Sequence, residues 1–206
     1  MTSLLHRLNY EMADTLQKAA GSLVQVRSGR GGAGAGTIWH PNGLIVTNAH
    51  VVARGALRVS LPDGTDLPAR ILARDEGLDI AVLEVDRTGL PTIEPGESKR
   101  LKPGHWVLAL GHPWGVRGAA TAGVVIGVGS EWPEGPSQGR DWIAVSMPLR
   151  PGNSGGPLVD VRGRLLGINT LITGPEVGMA VPVHVVKRFL REALGSGHSA
   201  PPTRVW

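Results

Sequence analysis

The sequence predicts an all-β protein built as two packed six-stranded antiparallel β-barrels, with one helix before them and one after. Three observations predict it. Thirty glycines and sixteen prolines among 206 residues punctuate the chain without a repeat, which makes for many turns and short segments. Between those turns apolar side chains recur at period two, in two sets of about six segments separated by a polar stretch. Closing each set on itself leaves no bare sheet edge. Apolar residues at 41% and charged ones at 18% supply a core and exclude a solvated tail or a coiled coil.

Taken in order, residues 3–20 place Leu5, Leu8, Met12, Leu16 and Ala19 three to four apart, on one helix face, and Gly21 stops the helix. This arm, residues 1–20, either docks on the main body or joins copies of the chain. From Ser22 the period changes to two. Segments 23–27, 35–39, 44–48, 56–61, 67–74 and 80–85 read as strands, with Pro41-Asn42-Gly43 and Asp63-Gly64 as hairpin turns between them. Residues 86–103, rich in proline, glycine and charge, form a linker. Segments 106–110, 121–128, 142–146, 157–161, 164–171 and 178–181 resume the strand pattern. Pro182 opens a last helix that sets Val183, Val186, Phe189, Leu190 and Leu194 on one face before Gly195. A single domain over 21–195 results, with the first barrel at about 22–90, the second at about 103–182 and the helix at 183–194, followed by a flexible tail over 196–206.

Several functions are excluded at this stage. Without cysteine there are no disulfides and no thiolate metal sites. A net charge of +4 is mildly basic, but the lysines and arginines are scattered, whereas a nucleic-acid surface gathers them. No run of 18 apolar residues offers a membrane span, and His6, Arg7, Asn9 and Glu11 interrupt the place where a secretory signal would run. As written, the chain reads as cytoplasmic, and as periplasmic or extracellular only if a leader is missing. Gly29-Arg30-Gly31-Gly32-Ala33-Gly34 spells a dinucleotide fingerprint, but strand and turn follow it where a helix is needed, so it reads as a loop. The apolar end Arg204-Val205-Trp206 could dock in a groove of a second copy or of a peptide-binding partner.

The chemistry concentrates in Pro151-Gly152-Asn153-Ser154-Gly155-Gly156-Pro157-Leu158, a serine among glycines just before an apolar strand. A serine hydroxyl is a weak nucleophile, so it needs a neighbouring base and a tight turn that aims backbone N–H groups at the developing oxyanion. Of the seven histidines, His50 ends a strong apolar strand. By contrast His6 and His198 lie in the arm and tail, His40, His105 and His112 flank turns, and His184 opens the last helix. No zinc-binding spacing occurs. Asp79, heading the strand Ile80-Ala81-Val82-Leu83, is the carboxylate best placed to orient the imidazole; Asp75 and Glu76 lie in a polar turn.

In that order, Thr47-Asn48-Ala49-His50-Val51-Val52, Leu78-Asp79-Ile80-Ala81-Val82-Leu83 and the Ser154 block resemble the three catalytic blocks of trypsin-like serine proteases of the HtrA/Do type. Gly111-His112-Pro113-Trp114-Gly115 resembles that family's turn opening the second barrel, and Gly167-Ile168-Asn169-Thr170 with Gly178-Met179-Ala180-Val181-Pro182 resembles its pocket-walling strands. The resemblance implies His50 as general base and acid, Asp79 as orienting carboxylate, Ser154 as nucleophile, and an oxyanion hole at Gly152, Asn153 and Ser154. It implies hydrolysis of unfolded or damaged polypeptides through an acyl-enzyme, without metal or organic cofactor, the alternative being a resting peptide-binding or chaperone-like module. Pro148 and Leu149 would line the pocket floor; neither is acidic, which favours small or medium aliphatic P1 side chains touching Leu149, Thr170, Leu171 and Met179. The pattern departs from the family in lacking a PDZ domain, in Ser146 and Arg150, and in an arm whose one aromatic is Tyr10, where relatives trimerise through an aromatic segment.

Overall fold

A computed structural model describes residues 3–29, 32–52, 55–130, 140–174 and 176–195, with the backbone alone at 32 and 171–174. Two closed antiparallel barrels of six strands each make up the body. In the first, β1 (Leu23–Ser28), β2 (Gly32–His40), β3 (Leu44–Thr47), β4 (Leu57–Ser60), β5 (Asp66–Asp75) and β6 (Ile80–Val85) run in the order β1-β2-β3-β6-β5-β4, and β4 returns to β1 with Gln25 opposite Ser60. In the second, β7 (Trp106–Gly111), β8 (Ala119–Gly129), β9 (Trp142–Ser146), β10 (Pro157–Asp160), β11 (Leu165–Gly174) and β12 (Val177–Pro182) run β10-β11-β12-β9-β8-β7, closed by Leu158 opposite Ala109.

Strand alternation divides each barrel's side chains between two places. On β6, Ala81, Leu83 and Val85 point into the first barrel, while Ile80 and Val82 join the cluster that lies between the barrels and under the helices. On β7, Val107 and Ala109 fill the second barrel, and Leu108 and Leu110 turn to that same shared cluster. Both faces of these strands are therefore dry, which is why they read as nearly continuous apolar runs. Each fully buried leucine or isoleucine contributes about 1.5–3 kcal/mol. The shared cluster thus binds the halves as firmly as it fills them.

The helices follow the expected spans with one difference. Ser3 caps α1 (Leu4–Ala20), and Met12, Leu16, Ala19 and Ala20 pack on the second barrel, but Leu4, Leu5 and Leu8 remain uncovered. The predicted stripe thus meets the body only along its second half. Gly21 ends α1 in ordinary helical φ, so it does not act through the left-handed form. Helix α2 (Val183–Gly195) buries Val183, Val186, Phe189 and Leu190. The linker is not loose: Leu90, Ile93 and Ser98 are buried, and Pro95 bridges to Leu165. Among the described residues no helix is long and apolar enough to cross a membrane.

Candidate active site

Pairing of β3 with β6, Thr47 opposite Ala81, brings the ends of these strands side by side. His50 does not continue the strand, as its sequence context suggests; it sits on a single 3₁₀ turn, Ala49–Val51, whose flanking residues are buried and turn the imidazole outward. Asn48 reinforces the junction by donating its side-chain amide to Asp79 O at 2.9 Å. Asp79 itself holds φ +54°, a left-handed conformation that aspartate tolerates better than most residues.

The Asp79 carboxylate is buried and well supplied with donors. His50 Nδ1 lies 2.9 Å from Oδ2 and 3.0 Å from Oδ1, the His50 main-chain N–H donates to Oδ1 at 3.1 Å, and the Thr170 hydroxyl donates to Oδ2. Burial works to raise this carboxyl, but the hydrogen bonds from His50 and Thr170 outweigh it and hold the group below the ordinary carboxylate value. An ionised Asp79 makes Nδ1 the protonated nitrogen of a neutral His50 and leaves Nε2 free to accept a proton.

Ser154 stands on a backbone that its glycines make possible. Asn153 N–H closes on Arg150 O at 2.9 Å with Gly152 at φ +105°, a type II turn in which proline suits the second position and glycine the third. A Cβ on Gly155 would strike Ala35 O and the Thr47 hydroxyl, and one on Gly156 would strike Leu110 O. This segment of the second barrel is stitched to β2 of the first: Ala35 N–H donates to Ser154 O at 2.7 Å, and the Thr37 hydroxyl to Gly155 O at 3.2 Å. Among the described residues, the main-chain N–H groups of Gly152 and Ser154 have no hydrogen-bond acceptor. The Ser154 hydroxyl donates to Thr170 O at 3.0 Å. His50, Ser154, Thr170, Leu149, Arg150 and Asn153 line one cavity of about 270 Å³. The arrangement can pass a proton from a hydroxyl to an imidazole and offer two N–H groups to a nearby negative oxygen.

Leu149 lines this cavity and packs against Gly178, at which a Cβ would stand 2.6 Å from Leu149 Cδ1. Thr170 joins the wall, and it also links the Ser154 hydroxyl to the Asp79 carboxylate, which no spacing in the sequence signals. Pro148, expected at the floor, is exposed and absent from the lining. Met179 is buried in the shared core cluster and likewise absent from it. Leu171 belongs to β11, but its side chain lies outside the described residues, as do Arg30, Gly31 and the tail over 196–206. Of the glycine-rich stretch, Gly32 and Gly34 belong to β2, and a Cβ on Gly34 would come within 2.8 Å of Val51, so close packing accounts for this glycine. One residue the sequence reasoning did not single out is Trp114, at φ +54° and 78% exposed, with the Arg150 guanidinium 6.0 Å over its ring. Among the described residues no three His, Asp or Glu side chains converge to hold a metal ion.

Comparison with known proteins places this fold in a family. A profile described as a trypsin-like peptidase domain matches residues 34–168. The chain is 35% identical over 204 residues to serine protease HTRA1B of Danio rerio, covering 93% of this chain and 43% of that protein. It is 39% identical over 183 residues to the chloroplastic protease Do-like 1 of Arabidopsis thaliana, covering 83% of this chain and 41% of that protein. The crystal structure of the serine endoprotease from Yersinia pestis superposes with a TM-score of 0.81 at 28% identity, over 91% of this chain and 68% of that one. The chain thus spans about two-fifths of the length of the curated relatives it matches.

Proposed function

The chain belongs to the trypsin-like peptidase family, and from that premise we propose that it is a serine endopeptidase of the HtrA/Do type, hydrolysing peptide bonds of unfolded or damaged proteins through an acyl-enzyme. One observation carries the reading foremost: His50 Nδ1 is bound at 2.9 Å to a buried Asp79, while Ser154 lines the same cavity beside two unpaired N–H groups. In the reaction the Ser154 hydroxyl exchanges Thr170 O for His50 Nε2, which removes its proton as the oxygen attacks the substrate carbonyl. Gly152 and Ser154 N–H then bind the oxyanion, with Asn153 holding the turn between them. His50 returns the proton to the leaving amine, and water repeats the sequence on the ester. No metal or organic cofactor enters these steps.

The apolar floor at Leu149 supports cleavage after small or medium aliphatic residues, since a basic side chain would find no carboxylate there. A fluorophosphonate probe is expected to label Ser154 in the native protein, and cleavage sites mapped on an unfolded substrate to cluster after valine, alanine and leucine. A complete lack of labelling would overturn the hydrolytic reading in favour of a peptide-binding module. Cleavage after lysine or arginine would overturn the pocket assignment alone.

With this we propose a homo-oligomer, in the form of a trimer, joined through the first half of α1, where Leu4, Leu5 and Leu8 are 79%, 76% and 53% exposed. Sedimentation equilibrium is expected to return three times the 21.6 kDa chain mass, falling to one on Leu4→Asp with Leu5→Asp; a monomer in the unaltered protein would refute it.

A further inference from the structure

We infer that His112 is a positioning residue for the reaction proposed above: as a neutral imidazole it clasps the loop between β7 and β8, and that loop braces the turn at 150–153 from behind. The inference rests on the hydrolytic reading and adds a residue to it. His112 makes three hydrogen bonds at this junction. Its main-chain N–H donates to Gly152 O at 2.8 Å, its carbonyl accepts from Gly115 N–H at 3.1 Å, and its ring Nδ1 accepts from Gly118 N–H at 3.2 Å. The first fixes the carbonyl of a residue whose own N–H is offered to the oxyanion. The carbonyl of His112 also occupies the space a Gly152 Cβ would need, so turn and loop are in direct contact.

The other two bonds close a loop whose backbone is unfavourable in places. Trp114, Gly115 and Gly118 all lie in the left-handed region, at φ +54°, +77° and +68°. For tryptophan that conformation is unfavourable, and it persists where the surroundings enforce it. Gly118 N–H is a donor only, so its bond to Nδ1 sets the ring's single proton on Nε2. An imidazolium would present N–H at both nitrogens and set Nδ1–H against Gly118 N–H, donor to donor. Protonation therefore opens the clasp.

The surroundings keep the ring neutral. His112 is 9% exposed, and its Nε2 is buried without a hydrogen-bond partner among the described residues. Burial is the main cause that holds this histidine below its ordinary value of 6.5; Arg117 adds to it, and the Val24 main chain beside the ring opposes it. Arg117 is the charged group that acts on the ring, and the residues that share a cavity with His112 from the end of α1, from β1 and from β4 and the position after it, Ala20, Leu23, Gln25, Ser60 and Leu61, carry no charge. Because the folded value is the lower one, the unfolded chain takes up the proton first. The clasp's contribution is complete above about pH 6.5 and is lost as pH falls through the depressed folded value.

The test compares two variants on a cleavable peptide. His112→Leu keeps the bulk and removes the acceptor, and it is expected to lower kcat at neutral pH by about tenfold or more with KM changed by less than about twofold, since oxyanion donors act in the transition state. His112→Asn sets an amide oxygen near the position of Nδ1 and does not titrate; it is expected to recover most of the lost rate. In the unaltered protein the acid limb of log kcat should steepen towards two protons, and in His112→Asn it should relax to a one-proton slope. A leucine variant with unaltered kcat, or an asparagine variant with the original acid limb, overturns the inference. A readout independent of turnover is ¹⁵N NMR of the Ser154→Ala protein, in which the Gly118 and Gly152 amides should titrate with the His112 ring. Amides that ignore that ring overturn the clasp, whereas missing hydrolysis with absent Ser154 labelling indicts the hydrolytic reading and leaves the NMR result to decide the clasp.

Discussion

Ser154→Ala is expected to lower kcat on an unfolded protein substrate by at least about 10⁴-fold, with the fold and oligomer unchanged. A factor of 10⁴ corresponds to about 5.5 kcal/mol of transition-state stabilisation. That is the difference between an alkoxide-like oxygen delivered at the carbonyl and a water molecule without covalent help. The fold should survive because the hydroxyl's one hydrogen bond goes to Thr170 O, which lines the open cavity and can take water in its place. The structural stitches from this segment use main-chain groups, Ser154 O and Gly155 O, which alanine retains. Circular dichroism and sedimentation should match the unaltered protein, while peptide release falls to the level that the two N–H groups and binding alone can support. A variant of undiminished rate would remove Ser154 from the reaction.

Asp79→Asn is expected to cost about 10⁴-fold in kcat at neutral pH, for a different reason. The carboxylate accepts from the His50 main chain, from His50 Nδ1 and from Thr170 at once. An asparagine that keeps its oxygen for the His50 main-chain N–H sets its NH₂ at the Oδ2 position, where it donates to Nδ1 and to the Thr170 oxygen; Nδ1 then becomes an acceptor and the ring proton moves to Nε2. The nitrogen that must take the serine proton is already occupied. Unfolding does not confuse the result, since asparagine suits φ +54° at least as well as aspartate. Retained thermal stability with a collapsed kcat is the expected pair of readings, checked by calorimetry and steady-state rates. Full activity would mean that His50 needs no acidic partner to set its tautomer.

The same residues show how far a sequence can be read and where it stops. Barrels were legible because runs such as Ile80 to Leu83 and Val107 to Leu110 are short, apolar and bounded by turn residues, whereas the division of their side chains between two dry faces appears only in the fold. His50, Asp79 and Ser154 stood out as candidates because each lies in a block of small and apolar neighbours, some of them dictated by close approach, as Gly155 is by Ala35 and Thr47. Thr170 was read as pocket wall, yet its hydroxyl and carbonyl reach two groups, Asp79 and Ser154, that lie 91 and 16 positions away. Spacing along a chain carries no trace of such a link. His112 looked like a histidine flanking a turn, because its importance comes from Gly118 N–H and Gly152 O, main-chain atoms that sequence does not mark. Met179 was misplaced because a strand beside a pocket has two faces, and its side chain takes the one toward the core.

The seam from Ala35 and Thr37 to Ser154 and Gly155 has a consequence for biosynthesis. The ribosome delivers the imidazole and its carboxylate first, and the attacking alcohol some 75 residues later, about 4–15 s at ordinary elongation speeds. During that interval the nascent polypeptide holds a base with nothing to deprotonate. On the endopeptidase reading proposed above, activity arises only when the later half docks on the earlier one, so folding itself delays it until both barrels are made.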